Sequence, residues 1–507
     1  MITDDTLFSS VGELAAQLRA RRISPVELTA SYLERLEKLG PRLGAVATVM
    51  RDSAMAEARE AEREIRRGKY RGPLHGIPYG AKDLLATRNA RTTWGAAPYH
   101  EQQFNEDATV IRRLREAGAI LVAKLAMIEL AGGMGYNEAH ASWTGACRTP
   151  WNTEFWSGGS SSGPGAATAA ALVAFSIGSE TSGSIITPSA FCGVSGLRPT
   201  YGAVSRHGAM ALCWTLDKLG PMCRTASDCR LVLDAIAGHD PLDPTSRDFG
   251  GVNRSTRRSS GADNSISQAE LIRRYGRDAT PLLGSGMTDL NEPQGTKTGK
   301  SRMRIAVLKD SYEKAQAAVR ENFLRSLEVL KRFAVIEMDV KLPDFPYGPA
   351  VGTIVDAEGA SAFRDLIESG RVKELASPSG RIGGYSASLV TAVDYLHAMR
   401  LRAPMRRAWA EFFTKYSVLV APSRSTVAYP INKTFDQAYP DVSASSPIAA
   451  SNLVGVPAIS IPNGFGENNL PTGIQFVGPA WSEHALVELA EKYQQATDWH
   501  RRRPNIS

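Results

Sequence analysis

The chain has 507 residues, 43% of them hydrophobic and 22% charged, with a formal net charge of +7. This is ordinary globular composition with ample apolar material for a sizeable core, and a large α/β sheet could absorb the whole length in one unit. The basic residues are scattered, with no basic stripe interleaved with aromatics, so the charge reads as a solvated surface and no nucleic-acid partner is expected.

Five cysteines fall between Cys147 and Cys229, an odd number without metal-ligand spacing. They read as buried free thiols in a reducing compartment, and neither a metal nor a cofactor is expected. The N-terminal MITDDTLFSS is acidic and polar, without the basic and apolar regions of a secretory leader. The longest apolar run, Ala166–Ile177, is too short and too alanine-rich to span a bilayer. A cytoplasmic protein without a membrane partner is the expectation.

In chain order, residues Val11–Arg67 read as helices, with Leu14, Leu18, Leu28, Leu33 and Leu36 at helical spacing and Ser24-Pro25 as a start signal. Ile77–Ala81 reads as a buried strand that carries Lys82 out at its end. Ala108–Ala117 is a helix, and the apolar Ile120–Lys124 a buried strand. Further helices are expected at Ala226–Ala237, Tyr312–Lys331, Ser386–Lys415 and Glu483–Thr497. Strands are expected at Arg304–Leu308, Val335–Val340, Val418–Ala421, Val456–Pro462 and Gly473–Val477. The alternation of helices with short apolar strands predicts an α/β fold built on one central mixed sheet flanked by helices. Residues 1–68 read as a helical cover, and 69–248 with 302–507 as the α/β core. The Ser-, Arg- and Gly-rich 249–301 reads as a polar, low-order insertion.

The chain is organised around Trp156–Thr200. A Gly/Ser-rich loop, GGSSSGPG (158–165), precedes a small-residue helix over roughly Ala166–Val173, and a second such turn, ETSGS, spans Glu180–Ser184. Glycine and serine are costly to order, and a chain concentrates them where the backbone takes unusual angles or approaches a ligand. A serine hydroxyl needs a base, and neither His140 nor His207 lies in a triad arrangement. Lys82, in LHGIPYGAKDLL, ends an apolar strand, where desolvation can turn a lysine into a base. A Ser–Lys system is the natural reading.

The set LHGIPYGAKD, GGSSSG and ETSGSIITPSAFCGVSGLRPT resembles the amidase signature family, whose members hydrolyse amides with a Ser–cis-Ser–Lys triad. The resemblance runs along nearly the whole chain outside 249–301. It implies Lys82 as the base, Ser160 as the cis-serine after a cis peptide from Gly159, and Ser184 as the nucleophile, 184 − 160 = 24 residues on. It also implies Thr181, Ser182, Gly183 and Ser184 as the oxyanion-hole amides and Met134 as a substrate contact. To act near neutrality Lys82 must fall about 3 units from its reference value. It should therefore be buried and free of a carboxylate partner, with Asp83 turned to the other face, bracing loops.

Departures from the pattern are Glu180 for an aspartate, Ser182 for a glycine, and Ile186 where an arginine is general in the glutaminase subunits. The apolar Ile186 argues against a charged substrate. Phe155 and Trp156 could wall the pocket, with core packing the favoured reading. The predicted activity is hydrolysis of a small, uncharged carboxamide or anilide through an acyl-serine, with a small-molecule amide as partner and a homodimer allowed. Alternatives are the glutaminase subunit of a tRNA-dependent amidotransferase, a carbamate or ester hydrolase on the same site, and a degenerate binding member.

Three other readings are weaker. GSSSG (159–163) fits a G-x-S-x-G nucleophile elbow centred on Ser161, but no late histidine motif supports it, His484 starting a charged helix. The fragments SYEK (311–314) and KTG (297–299) stand in reversed order for a β-lactamase. GGSSSGPG lacks the G-K-[ST] ending of a phosphate cradle.

Overall fold

The structure is a computed structural model and describes residues 2–249 and 302–506. The low-order insertion expected at 249–301 falls outside them from position 250 on. Up to Asp248 and from Arg302, the described residues form one compact unit.

Among the described residues, eleven strands form a single sheet. They are β1 (Val46–Val49), β2 (Pro78–Lys82), β3 (Ile120–Leu125), β4 (Phe175–Glu180), β5 (Ser195–Arg198), β6 (Lys218–Cys223), β7 (Met303–Leu308), β8 (Ala334–Val340), β9 (Val418–Pro422), β10 (Ala458–Phe465) and β11 (Pro471–Val477). Their order is β1-β3-β2-β4-β6-β5-β10-β11-β9-β7-β8. The sheet is mixed, as expected. β3, β2 and β4 run parallel, as do β8, β7 and β9, while the central pairs from β4 to β9 are antiparallel. β2, β3 and β4 are buried along their whole length, which is why they read as nearly continuous apolar or small-residue runs.

The parallel register of β2 and β4, with Ala81 opposite Ile177, brings Lys82 and the turn after Glu180 out at the same end of the sheet. Beneath that end lies the helix Ser162–Ala169, buried at every position. Its small residues let backbone meet backbone: a Cβ on Gly163 would stand 2.4 Å from the Ala45 carbonyl oxygen. The helix begins four residues before the expected Ala166, because Pro164 fits a first helical turn, where its missing N–H is not needed.

Two further expectations are corrected. The N-terminal region is not wholly helical, since Val46–Val49 pairs with β3 as an edge strand; four residues are too few for a two-fold pattern to declare itself. The single helix expected over Ser386–Lys415 is two, Gly380–Ala387 and Ala392–Lys415. The second has its own start, where Thr391 Oγ1 accepts the Asp394 N–H at 3.1 Å. No helix among the described residues is long and apolar enough to cross a membrane.

Candidate active site

Lys82 ends β2 and is fully buried. Its Nζ lies 2.7 Å from Ser160 Oγ and 2.8 Å from Ser179 Oγ. No carboxylate among the described residues comes within ion-pair distance of it. Burial lowers its pKa from 10.5 to about 7, with the charges of Asp217 and Glu180 pulling the other way. An amine so placed is neutral for part of the time near neutral pH and can take a proton from a hydroxyl it touches. Asp83 faces away, ion-paired with Lys124 at 3.1 Å and accepting the Thr93 N–H at 3.0 Å. It braces the loop after β2, as its alternating position along the strand dictates.

Ser160 lies in the loop before the helix Ser162–Ala169, and the Gly159–Ser160 peptide is cis. Two side chains press on Gly159: a Cβ there would stand 2.7 Å from Trp156 Cζ2 and 2.8 Å from Ile128 Cγ1. The Ser160 carbonyl accepts the Ile128 N–H at 3.1 Å, which ties the loop to the segment after β3.

Ser184 closes the turn between β4 and the helix Ile186–Cys192. Its carbonyl accepts the Ser161 N–H at 3.2 Å, so the two serine-bearing loops are joined through the backbone. The Ser184 hydroxyl makes no hydrogen bond to a described residue and is free to meet a substrate. Gly183 takes φ 95°, the left-handed conformation the turn requires, whereas Ser182 does not adopt it. The serine at 182 therefore costs the turn nothing, and it is exposed.

Glu180, longer than the aspartate of the family pattern, reaches under the turn. Its Oε2 accepts the Ile185 and Ile186 N–H at 2.8 and 3.0 Å, and its Oε1 meets Arg198 at 2.9 Å and Asn452 at 2.7 Å. Burial works against its charge, but Arg198, Asn452 and the two amides outweigh it and hold the pKa below the usual range. The turn is thus fixed from below by a fully satisfied buried carboxylate.

A cavity of about 190 Å³ opens beside Ser179, Thr181 and Asp217. Leu84, Met210, Leu212 and Trp214 wall it, with Arg206 and His207 among its polar lining. Met134 is not part of that lining; its sulfur packs on Gly384 and its carbonyl on Gly383. Phe155 and Trp156 sit in an aromatic cluster with Phe191 and belong to the core. Ser161 is no nucleophile elbow: it is fully buried, and its hydroxyl donates to the Ser179 carbonyl at 3.0 Å and accepts the Ser179 N–H at 3.2 Å.

Two residues at the site escaped the sequence reading, Ser179 and Asp217. The signal for Ser179 was strand alternation. Glu180 and Ser179 face opposite sides of β4, so Ser179 shares the face of the turn that meets Lys82. All five cysteines are buried and unpaired. Among the described residues no cluster of His, Cys, Asp and Glu could hold a metal ion.

The Amidase family model matches residues 27–271 and 283–487. The chain is 36% identical to a glutamyl-tRNA(Gln) amidotransferase subunit from Methylococcus capsulatus (strain ATCC 33009 / NCIMB 11132 / Bath), covering 98% of each protein. It is 34% identical to the protein of the same name from Moorella thermoacetica (strain ATCC 39073 / JCM 9320), over 97% of this chain and 98% of that one. Among solved structures it superimposes on the native peptide amidase of Stenotrophomonas maltophilia with a TM-score of 0.77 at 29% identity, covering 98% of both chains.

These relatives correct one expectation. A partner set limited to a small-molecule amide, with no nucleic acid, does not stand beside relatives named as subunits of an enzyme of glutamyl-tRNA(Gln). The no-nucleic-acid part of that expectation rested on the scatter of the basic residues, which reports direct nucleic-acid binding by this chain and not what an assembly containing it acts on. Ile186, where an arginine is expected of a glutaminase subunit, is fully buried, and its N–H donates to Glu180.

Proposed function

Since the chain belongs to the Amidase family, we propose that it cleaves a carboxamide through an acyl-serine at Ser184, as the glutaminase subunit of a tRNA-dependent amidotransferase. The observation that carries the chemistry is the contact of 2.7 Å between the buried Nζ of Lys82 and Ser160 Oγ. Relatives of this name along nearly the full chain support the biological setting.

Ser184 Oγ attacks the amide carbon, and its proton passes by way of Ser160 to neutral Lys82. The carbonyl oxygen becomes an oxyanion, which the backbone amides of 181–184 would stabilise. Lys82, now charged, returns the proton through Ser160 to the departing nitrogen. With glutamine the products of this half are ammonia and a glutamyl ester on Ser184, and water then cleaves the ester by the same route. Ser179 holds the second face of the Lys82 amine and fixes its direction.

A second reading, hydrolysis of an uncharged amide by the chain alone, is favoured by the apolar wall of the cavity, Leu84, Met210, Leu212 and Trp214. Esters and carbamates offer the same carbonyl. Ammonia release separates the two. Release from glutamine that disappears in Ser184→Ala supports the glutaminase. Release from aliphatic or aryl amides, with glutamine inert even when glutamyl-tRNA is supplied, overturns it in favour of the second.

A further inference from the structure

Asp217 has no part in the reaction as written, yet it touches both the nucleophile's turn and the cavity. It stands just before β6 and lines the cavity with Ser179 and Thr181. Its Oδ1 accepts Thr181 Oγ1 at 2.6 Å. Its Oδ2 accepts the Leu212 and Cys213 N–H, each at 2.9 Å. One carboxylate therefore clasps the first residue of the Ser184 turn to the loop that walls the cavity.

We propose that Asp217 is a positioning residue for amide cleavage: it holds Thr181 and the 212–213 loop in register and supplies the negative field in which Lys82 takes and returns its proton. The inference rests on the roles given to Lys82 and Ser184 above. Of the charged groups on the elements packed around Lys82, Asp217 and Glu180 act on it. From β4 comes Glu180, ion-paired with Arg198 at 2.9 Å. From β3 comes Lys124, paired with Asp83. On β6, Lys218 donates to the Leu216 carbonyl and burial lowers its pKa to about 7. Across the cavity Arg206 is held by Asp243 at 3.7 Å. Asp217 has no ion-pair partner among the described residues; burial raises its own pKa, while Thr181, the Cys213 and Leu212 amides and the charge of Arg206 pull the other way and favour the carboxylate. Asp217 leads and Glu180 follows among the charges that raise the proton affinity of Lys82 against burial.

The probe is a fluorophosphonate, whose phosphorus bonds to Ser184 Oγ as fluoride leaves and the serine proton passes to Lys82; the readout is the labelling rate against pH. Asp217→Asn keeps the shape, since its oxygen can accept the two amides while its nitrogen donates to Thr181. Its acid limb should move to lower pH by about one unit. Thr181→Val should slow labelling and leave the limb in place. If Asp217→Asn does not fold, Asp217→Ser removes the same charge and should give the same displacement. An acid limb coincident with the parent's in a folded neutral variant overturns the proposal while leaving the triad intact. Labelling of Lys82→Met at the parent rate instead overturns the triad, and this inference with it.

Discussion

Lys82 and Lys124 lie on adjacent strands, and both are fully buried. Lys124 meets Asp83 at 3.1 Å, the Leu85 carbonyl at 2.8 Å and Thr92 Oγ1 at 2.7 Å. Among the described residues Lys82 meets only two serine hydroxyls. Burial lowers both pKa values, but at Lys124 the Asp83 carboxylate pulls directly against it. The difference teaches that desolvation alone does not make a base. A lysine becomes one when its contacts are groups that can themselves pass a proton and when no anion fixes its charge. Lys218 makes the same point from the other side. Burial brings it to about 7 as well, yet its amine ends on a carbonyl, which has no proton to give.

The contrast can be broken most severely at Lys82. Lys82→Met should lower kcat/KM by about 10³-fold, the scale of a lost general base. The fold should survive and gain stability. The folded pKa of about 7 lies below the ordinary 10.5, so the folded state sheds a proton that the unfolded chain keeps. That burial cost is present in full below pH 7 and fades as pH rises toward 10.5, so the rise in Tm should be largest on the acid side. The same titration predicts an acid limb near pH 7 in the kcat/KM profile of the parent.

At Lys124 the outcome should invert. Lys124→Met leaves Asp83 buried and unpaired, which costs about 3–5 kcal/mol. Thermal unfolding should show a large drop in Tm, while the kcat of the fraction still folded changes little. A smaller effect is expected at Ser179. Ser179→Ala removes one of the two hydroxyls that aim the Lys82 amine and should lower kcat about tenfold, the cost of one buried hydrogen bond, with the acid limb retained. Lys218→Met should change kcat least, by about twofold or less, because its amine touches no hydroxyl; calorimetry should find it more stable below pH 7.

Much of this site was legible in the sequence. The two Gly/Ser turns and Lys82 at an apolar strand end stood out as local features, while Ser160 and Ser184 within those turns were singled out by the family resemblance. The cis peptide at Gly159–Ser160 came with the family resemblance. The strands β2, β3, β7 and β9 were visible as apolar runs. What stayed hidden depends on contacts between distant segments. Asp217 reaches Thr181 across 36 positions of chain, and Glu180 reaches Asn452 across 272. The pairing of Asp83 with Lys124 follows from strand order, which periodicity does not report. β1 was hidden by its shortness, and the break before Ala392 by a Thr–Asp cap inside a run that otherwise keeps helical composition. The partner expectation failed because a scattered surface charge speaks only to direct nucleic-acid binding and carries no trace of what a larger assembly acts on.

The central claim is that Ser184 is the nucleophile and that Lys82 activates it by way of Ser160. Mass spectrometry after exposure to a fluorophosphonate at pH 8 tests it most directly. The account predicts one adduct, on Ser184, absent in Ser184→Ala and strongly reduced in Lys82→Met. An adduct on Ser161, or full labelling of Ser184 in the Lys82→Met protein, would contradict it.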